Sequence, residues 1–200
     1  MRIAVLVSGG GSNLQSLIDD TNKSYEIALV IADREKAFGL ERAKNAGIAN
    51  FWVGKKNFGD NKNTEILRLL EEYNIDAIVL AGYLSIIPET IVNRFEHKII
   101  NIHPSLIPSF CGMGFHGHHV HDAVFASGVK LSGATVHFVN AGVDTGEIIL
   151  QESVHLSNDD TAESIAAKVL KIEHSILPKA VNLFAQNKIT IKNKRTYIGD

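Results

Sequence analysis

The stretch Ile3-Ala4-Val5-Leu6-Val7-Ser8-Gly9-Gly10-Gly11-Ser12-Asn13-Leu14 decides how the rest of the chain is read. Ile3 to Val7 is a continuous apolar run, the pattern of a strand buried on both faces of a sheet. Three consecutive glycines follow, and then Leu14, Leu17 and Ile18 recur at helical spacing over Ser12 to Asp20. Strand, glycine turn and helix in that order form the opening unit of an α/β fold. Glycines permit positive φ and close approach of a ligand, and the N–H groups at a helix N-terminus favour an anion. A tight turn with Ser12 or Asn13 as helix cap is the plainer alternative.

The same alternation continues outward from this unit. Ile27 to Ala32, Phe51 to Val53, Ala77 to Ala81 and Ile99 to Ile102 read as strands, with Ala134 to Val139 and Ile148 to Val154 as two later ones. Phe38 to Ala46, Thr64 to Tyr73 and Pro88 to about Phe95 read as helices, and Thr161 to Phe184 as a long helix disturbed near Pro178. Repeated strand–helix–strand units imply a mostly parallel central sheet with helices on both faces. Most of Pro104 to His121 reads as a long ordered loop, a kind of segment that is usually functional. The lysines and arginine from Lys188 to Arg195 read as a solvated tail.

Composition bounds the function. The 200 residues fit one domain spanning 1–200, and 45% hydrophobic with 21% charged residues is an ordinary globular mixture. The net charge of −2 provides no basic excess for phosphate backbones, so no nucleic-acid partner is expected. The longest apolar stretch, Ala77 to Ile87, is too short to span a bilayer, and Met1 to Val7 reads as a strand and not as a signal peptide, so no membrane partner is expected either. A single cysteine, Cys111, excludes an intramolecular disulfide and a cysteine zinc cluster, which fits a cytoplasmic setting.

The glycine turn does not complete a dinucleotide fingerprint, because Leu14 stands where the third glycine belongs, although Asp33 is well spaced for a ribose contact. The Gly-Lys-Ser/Thr ending of a triphosphate loop is also absent, so a monophosphate ester fits best. Farther on, Asn101-Ile102-His103-Pro104 follows an apolar strand. Strand alternation puts Asn101 and His103 on one side, roughly 6.5 Å apart. An amide donor can stabilise a developing oxyanion, and an imidazole can move a proton near neutral pH. A turn asparagine and a core histidine are the structural alternatives. Asp144, in the loop between the two late strands, would raise the His103 pKa if it lies nearby. His116, His118, His119 and His121 crowd into six residues, yet no carboxylate or cysteine pattern accompanies them, and no metal is expected. A helix starting near His118 would turn Val120 and Val124 to the core, and His137 alternates with Val136 and Phe138, so it faces away from them, either toward an active site or equally as a strand-surface histidine.

Ser8-Gly9-Gly10-Gly11-Ser12-Asn13-Leu14-Gln15, Asn101-Ile102-His103-Pro104-Ser105-Leu106-Ile107-Pro108 and the segment from Gly133 to Gly146 occur in order along the chain. Together they resemble the folate-dependent phosphoribosylglycinamide formyltransferase family, and the resemblance covers essentially the whole chain. It implies a Rossmann-like formyltransferase fold, an N-terminal half that binds phosphate and a C-terminal half that binds folate. It implies an enzyme of purine biosynthesis that moves the formyl group of 10-formyltetrahydrofolate to glycinamide ribonucleotide, as a monomer or homodimer and without metal. Position by position, it implies that Gly11, Ser12 and Asn13 hold the phosphate and Glu173 the ribose hydroxyls. Asn101 would bind the formyl oxygen, His103 would act as general acid, and Asp144 would orient His103 and raise its pKa. Tyr83, Leu84, Ser85, Ile86 and Ile87, with Asn101, Val139 and Asn140, would line the folate pocket.

The sequence departs from the family pattern at Ser85, where arginine is common, at Ala141, where an acidic residue is usual, and at Glu147, which replaces a frequent proline. Asn61 or Lys62 is nearest to the family's basic residue at the folate tail. A formyltetrahydrofolate hydrolase and a non-catalytic nucleotide-binding module are the alternative functions. The first shares the Asn-x-His…Asp pattern, whereas the second needs only the glycine turn.

Overall fold

The computed structural model describes residues 1–199 and divides into two compact units, 1–100 and 101–200. The first carries β1 (Arg2–Val7), α1 (Ser12–Asp19), β2 (Glu26–Ala32), α2 (Phe38–Asn45), β3 (Ala49–Trp52), α3 (Lys55–Phe58), α4 (Lys62–Glu72), β4 (Ala77–Leu80) and α5 (Glu89–Arg94). β5 (Ile99–His103) starts in the first unit and ends in the second, which continues with α6 (His118–Ser127), β6 (Leu131–Phe138), β7 (Ile148–His155), α7 (Ala162–Ala185), β8 (Ile189–Lys192) and β9 (Arg195–Ile198). Seven strands form one sheet in the order β3-β2-β1-β4-β5-β6-β7, as the alternating pattern requires.

In the first unit β1 lies between β2 and β4 and pairs parallel with both. Ile3 to Val7 are fully buried, so the strand reads as a continuous apolar run because neither face meets water. The C-terminal ends of these parallel strands deliver Ser8 and the glycine turn, Asp33, and the loop after β4 to one edge of the sheet. In open α/β sheets that edge is where ligands bind.

In the second unit β6 and β7 pair antiparallel, with Thr135 opposite Gln151. Helix α7 begins at a reciprocal cap, in which Thr161 Oγ1 accepts the Ser164 N–H at 3.3 Å and Ser164 Oγ accepts the Thr161 N–H at 3.0 Å. The disturbance expected at Pro178 does not end this helix, which runs from Ala162 to Ala185. Val169, Ile176, Leu177, Ala180 and Val181 are buried on both sides of the proline. Their burial outweighs the roughly 3 kcal/mol that an interior proline costs.

The segment from Lys188 to Arg195 is not a solvated tail. It is most of a hairpin, with Ile189 paired to Ile198 and Lys192 to Arg195. Asn193 and Lys194 both take positive φ, 50° and 58°, as a two-residue turn matched to strand twist demands. Thr196 Oγ1 donates to the Ile148 carbonyl at 2.7 Å and ties the hairpin to β7. Basic side chains hid the alternation of Ile189, Ile191, Thr196 and Ile198 on which the pairing rests. Among the described residues, no helix is long and apolar enough to cross a membrane.

Candidate functional site

Asn101 and His103 lie on β5 with Ile102 between them, and Thr135 and His137 lie on β6 with the same alternation. His103, Thr135 and His137 are almost completely buried. Asp144 comes from the loop between β6 and β7, where it holds φ at +55°, an uncommon conformation for a residue with a side chain. That loop is braced by Asn140, whose Oδ1 accepts the Gly142 N–H at 2.9 Å and the Thr145 hydroxyl at 2.7 Å. Gly146 must be glycine, because a Cβ there would overlap the Phe138 carbonyl.

These side chains form one network in the second unit. One oxygen of Asp144 stands 3.6 Å from His103 Nδ1 and accepts the Gly112 N–H at 2.9 Å. Its other oxygen stands 3.6 Å from His137 Nε2. His137 Nδ1 lies 2.8 Å from the Phe138 carbonyl and therefore donates to it. In neutral His137, Nε2 is left as an acceptor, and the Asn101 Nδ2–H fills it at 3.1 Å. This fixes the orientation of the Asn101 amide, whose second N–H takes no part in that contact. His103 Nε2 donates to the Phe110 carbonyl at 2.9 Å, so in the neutral ring Nδ1 carries no proton and faces Asp144.

Burial lowers the His103 pKa, and His137 adds to the depression, although the Phe110 carbonyl and Asp144 both pull it upward. The direction expected from Asp144 alone is therefore present but outweighed, because the ring loses its hydration. Burial thus opposes the charged form of His103 that Asp144 favours. For Asp144, burial alone would raise the pKa. His137, the Gly112 N–H and His103 favour the charged form and together hold it below the ordinary carboxylate range. A neutral imidazole beside a carboxylate can accept a proton and become an imidazolium whose charge is met at once.

The segment after β5 is anchored from several sides. Ser105 Oγ donates to the Ser109 carbonyl at 2.6 Å, and Thr135 Oγ1 donates to the Ser105 carbonyl at 2.6 Å while accepting the Ile107 N–H at 3.1 Å. Gln151 Nε2 donates to the Ile107 carbonyl at 2.9 Å. Sequence reasoning missed Ser105, Phe110, Gly112, Thr135 and Gln151 as parts of the site, and left His137 as equally a surface residue. The shared parity of Thr135 and His137 on an apolar strand was the available signal. The backbone groups of Phe110 and Gly112 leave no signal in a sequence.

In the first unit, Gly11 occupies the N-cap of α1 with φ +67°, and no side chain caps the helix, so neither Ser12 nor Asn13 has that role. Asn13 is buried and Ser12 half-buried. The loop after β4 is held by Ser8, whose N–H donates to the Gly82 carbonyl at 3.1 Å and whose Oγ accepts the Leu84 N–H at 2.8 Å. Ser85 Oγ donates to Asp33 Oδ2 at 2.6 Å. Tyr83 and Ile87 point inward, whereas Leu84 and Ile86 are 41% and 70% exposed. A pair of exposed apolar side chains on a tethered loop suits a flat apolar ligand. Burial, and then Asp33, push the Tyr83 hydroxyl pKa upward, so it stays protonated. Of the two residues nearest to a basic position, Lys62 lies with Nζ 5.5 Å from the centre of the Tyr83 ring.

In the second unit Glu173 is buried on α7, Val139 is half-buried and Asn140 exposed just beyond β6. Helix α6 starts at His118 and buries Val120 and Val124. His116 and His119 meet ring to ring at 5.2 Å, and no cluster of three or more metal-ligating side chains forms among the described residues. Burial, and then Asp144, raise the Cys111 thiol pKa, which opposes a nucleophilic role.

Residues 1–181 match the family model described as formyl transferase. The chain is 37% identical over 202 residues to a phosphoribosylglycinamide formyltransferase of Haemophilus influenzae, covering 98% of this chain and 93% of that one. It is 40% identical over 195 residues to the trifunctional purine biosynthetic protein adenosine-3 of Bos taurus, covering 95% of this chain but spanning only 19% of that relative's length. Among solved structures, glycinamide ribonucleotide transformylase 1 from Symbiobacterium toebii superposes with a TM-score of 0.93 at 38% identity, covering 100% of this chain and 94% of that one. A formyltetrahydrofolate deformylase from Pseudomonas syringae superposes with a TM-score of 0.89 at 26% identity, covering 100% of this chain and 66% of that one. With its mostly parallel sheet and its Asn101–His103–Asp144 network, the chain belongs to the formyl transferase family, alongside the phosphoribosylglycinamide formyltransferases.

Proposed function

We propose that the chain transfers the formyl group of 10-formyltetrahydrofolate to the amine of glycinamide ribonucleotide. The observation that carries this reading is the buried network in which Asp144 faces both His103 and His137 while His137 orients the Asn101 amide. A phosphate-binding module without chemistry has no use for it. The amine nitrogen attacks the formyl carbon, a C–N bond forms, and the carbonyl electron pair moves to oxygen. The second N–H of Asn101 stabilises that oxygen. The amine proton passes to His103, and the resulting imidazolium is held by Asp144 and the Phe110 carbonyl. His103 then returns the proton to the departing folate nitrogen as the old C–N bond breaks and the carbonyl re-forms. No covalent intermediate with the protein is required.

In the first unit, Gly11, Ser12 and Asn13 are assigned to the substrate phosphate, and Tyr83, Leu84, Ser85, Ile86 and Ile87 to the folate. In the second unit, Glu173 is assigned to the ribose hydroxyls, and Val139 and Asn140 to the folate. The test is a spectroscopic formyl-transfer assay with glycinamide ribonucleotide, run beside a control without the acceptor. Acceptor-dependent turnover supports transfer. Equal turnover in the control replaces the reading with hydrolysis of formyltetrahydrofolate, the reaction that the name of the Pseudomonas relative denotes.

A further inference from the structure

We propose that Arg42, on α2, is a positioning residue for the phosphate-binding turn, acting through the peptide planes of Gly9, Gly10 and Gly11; this rests on the reading that the turn receives the substrate phosphate. The Gly39 N–H donates to the Gly9 carbonyl at 3.1 Å, and Arg42 Nε donates to the Gly10 carbonyl at 2.8 Å. The Gly11 carbonyl is taken by the Gln15 N–H at 2.9 Å, inside α1. In a trans peptide the C=O and the following N–H point in opposite directions. Pinning the carbonyls of Gly9 and Gly10 toward α2 therefore aims the N–H groups of Gly10 and Gly11 away from it. The Ser12 N–H, the first unpaired donor of α1, lies next in the chain. Successive N–H groups presented in this way form a concavity for an anion.

Arg42 is itself held on three sides. Its Nη1 donates to Gln15 Oε1 at 3.0 Å, its Nε is spent on Gly10, and its guanidinium carbon lies 5.0 Å from the centre of the Phe38 ring. The close approach of α2 is built into the sequence by a pair of glycines. A Cβ on Gly11 would lie 2.7 Å from Gly39 Cα, and a Cβ on Gly39 would lie 2.8 Å from Val7 Cγ2. Gly9 and Gly10, by contrast, have open space where a Cβ would be. The turn is thus packed against α2 on one side and open on the other. Arg42 sets the direction of the open side and adds a positive charge beside it.

The experiment compares wild type with Arg42→Met and Arg42→Lys. For Arg42→Met the KM for glycinamide ribonucleotide rises about tenfold to a hundredfold, the loss expected for a hydrogen bond to a charged group. The KM for 10-formyltetrahydrofolate and kcat stay within about twofold, and Arg42→Lys recovers part of the affinity. An unchanged ribonucleotide KM overturns the proposal. So does a parallel rise in both KM values with a lowered Tm, which would make Arg42 a brace for the fold alone. Titration with ribose 5-phosphate by calorimetry gives a readout that does not depend on turnover. If wild type transfers no formyl group, the functional reading fails, and a weaker ribose 5-phosphate affinity in Arg42→Met still supports the role of Arg42. Equal affinity in both proteins, or no binding to either, overturns it.

Discussion

Asp144 divides its carboxylate between two histidines, with one oxygen 3.6 Å from His103 Nδ1 and the other 3.6 Å from His137 Nε2. Neither distance is a tight hydrogen bond, so the carboxylate acts on both rings through its charge. Burial holds the His103 pKa below its ordinary value, although the carboxylate favours the cation. In the proposed transfer this balance sets where the proton relay starts.

The first prediction follows from that balance. NMR titration of wild type places the His103 pKa below its ordinary 6.5, and Asp144→Asn lowers it further, because the protonated ring loses its nearest counter-charge. Each unit of that shift corresponds to about 1.4 kcal/mol lost by the imidazolium relative to the neutral ring. In the proposed transfer kcat at neutral pH falls as well, by at most about tenfold for each unit. The unfolded chain takes up a proton at His103 near 6.5 whereas the folded chain resists it until lower pH, so stability is lost as pH falls through 6.5. A His103 pKa that does not move in Asp144→Asn contradicts this account and assigns Asp144 to loop geometry alone.

The second prediction concerns the Asn101 amide. Asn101→Ala removes the proposed oxyanion donor and lowers kcat by roughly a hundredfold to a thousandfold. His137→Ala leaves the donor in place but removes the acceptor that orients it, so kcat falls by a smaller factor, on the order of tenfold, and the double variant falls less than the product of the two. Strict multiplicativity would mean that the 3.1 Å contact between them has no part in catalysis.

The contrast between these residues shows what a sequence can and cannot carry. Asn101, His103 and Asp144 are legible because their side chains are chemically specific and sit in recognisable surroundings. Burial of the His103 ring was not legible, since it depends on a segment after β5 that is pinned by Ser105, Thr135 and Gln151 across the second unit. The strands of the parallel sheet were legible because burial on both faces imposes an apolar run. The final hairpin was not, because exposed strands carry polar side chains at alternate positions and Lys188 to Arg195 reads as charge before it reads as alternation.

A third prediction separates the glycines of the turn. Gly11→Ala forces a side chain onto φ +67° and brings its Cβ within 2.7 Å of Gly39 Cα, so it destabilises the fold by more than about 1 kcal/mol in denaturant unfolding. Gly10→Ala has open space for its Cβ and leaves the unfolding midpoint nearly unchanged, while the methyl group stands where phosphate would approach and raises the ribonucleotide KM. Equal stability losses in both variants would show that the turn packs on both of its sides.

The last prediction tests how the loop after β4 is held. Ser85 Oγ donates to Asp33 Oδ2 at 2.6 Å, and the Leu84 N–H donates to Ser8 Oγ at 2.8 Å, so two side chains from the ends of β1 and β2 fix a loop that exposes Leu84 and Ile86. Ser85→Ala removes one tether without introducing bulk. The loop then samples more conformations, and folate binding has to restore the lost order. The cost is about that of one hydrogen bond to a charged acceptor, roughly 1.5–3 kcal/mol at most, and solvent screening at this half-exposed site reduces it. The KM for 10-formyltetrahydrofolate therefore rises several-fold while the ribonucleotide KM holds. Asp33→Asn keeps an acceptor oxygen for Ser85 but removes the charge, so its effect is smaller than that of Ser85→Ala. If Asp33→Asn proves the more damaging of the two, the carboxylate charge itself, acting on Tyr83 and Lys62, shapes the loop, and the hydrogen bond to Ser85 is secondary.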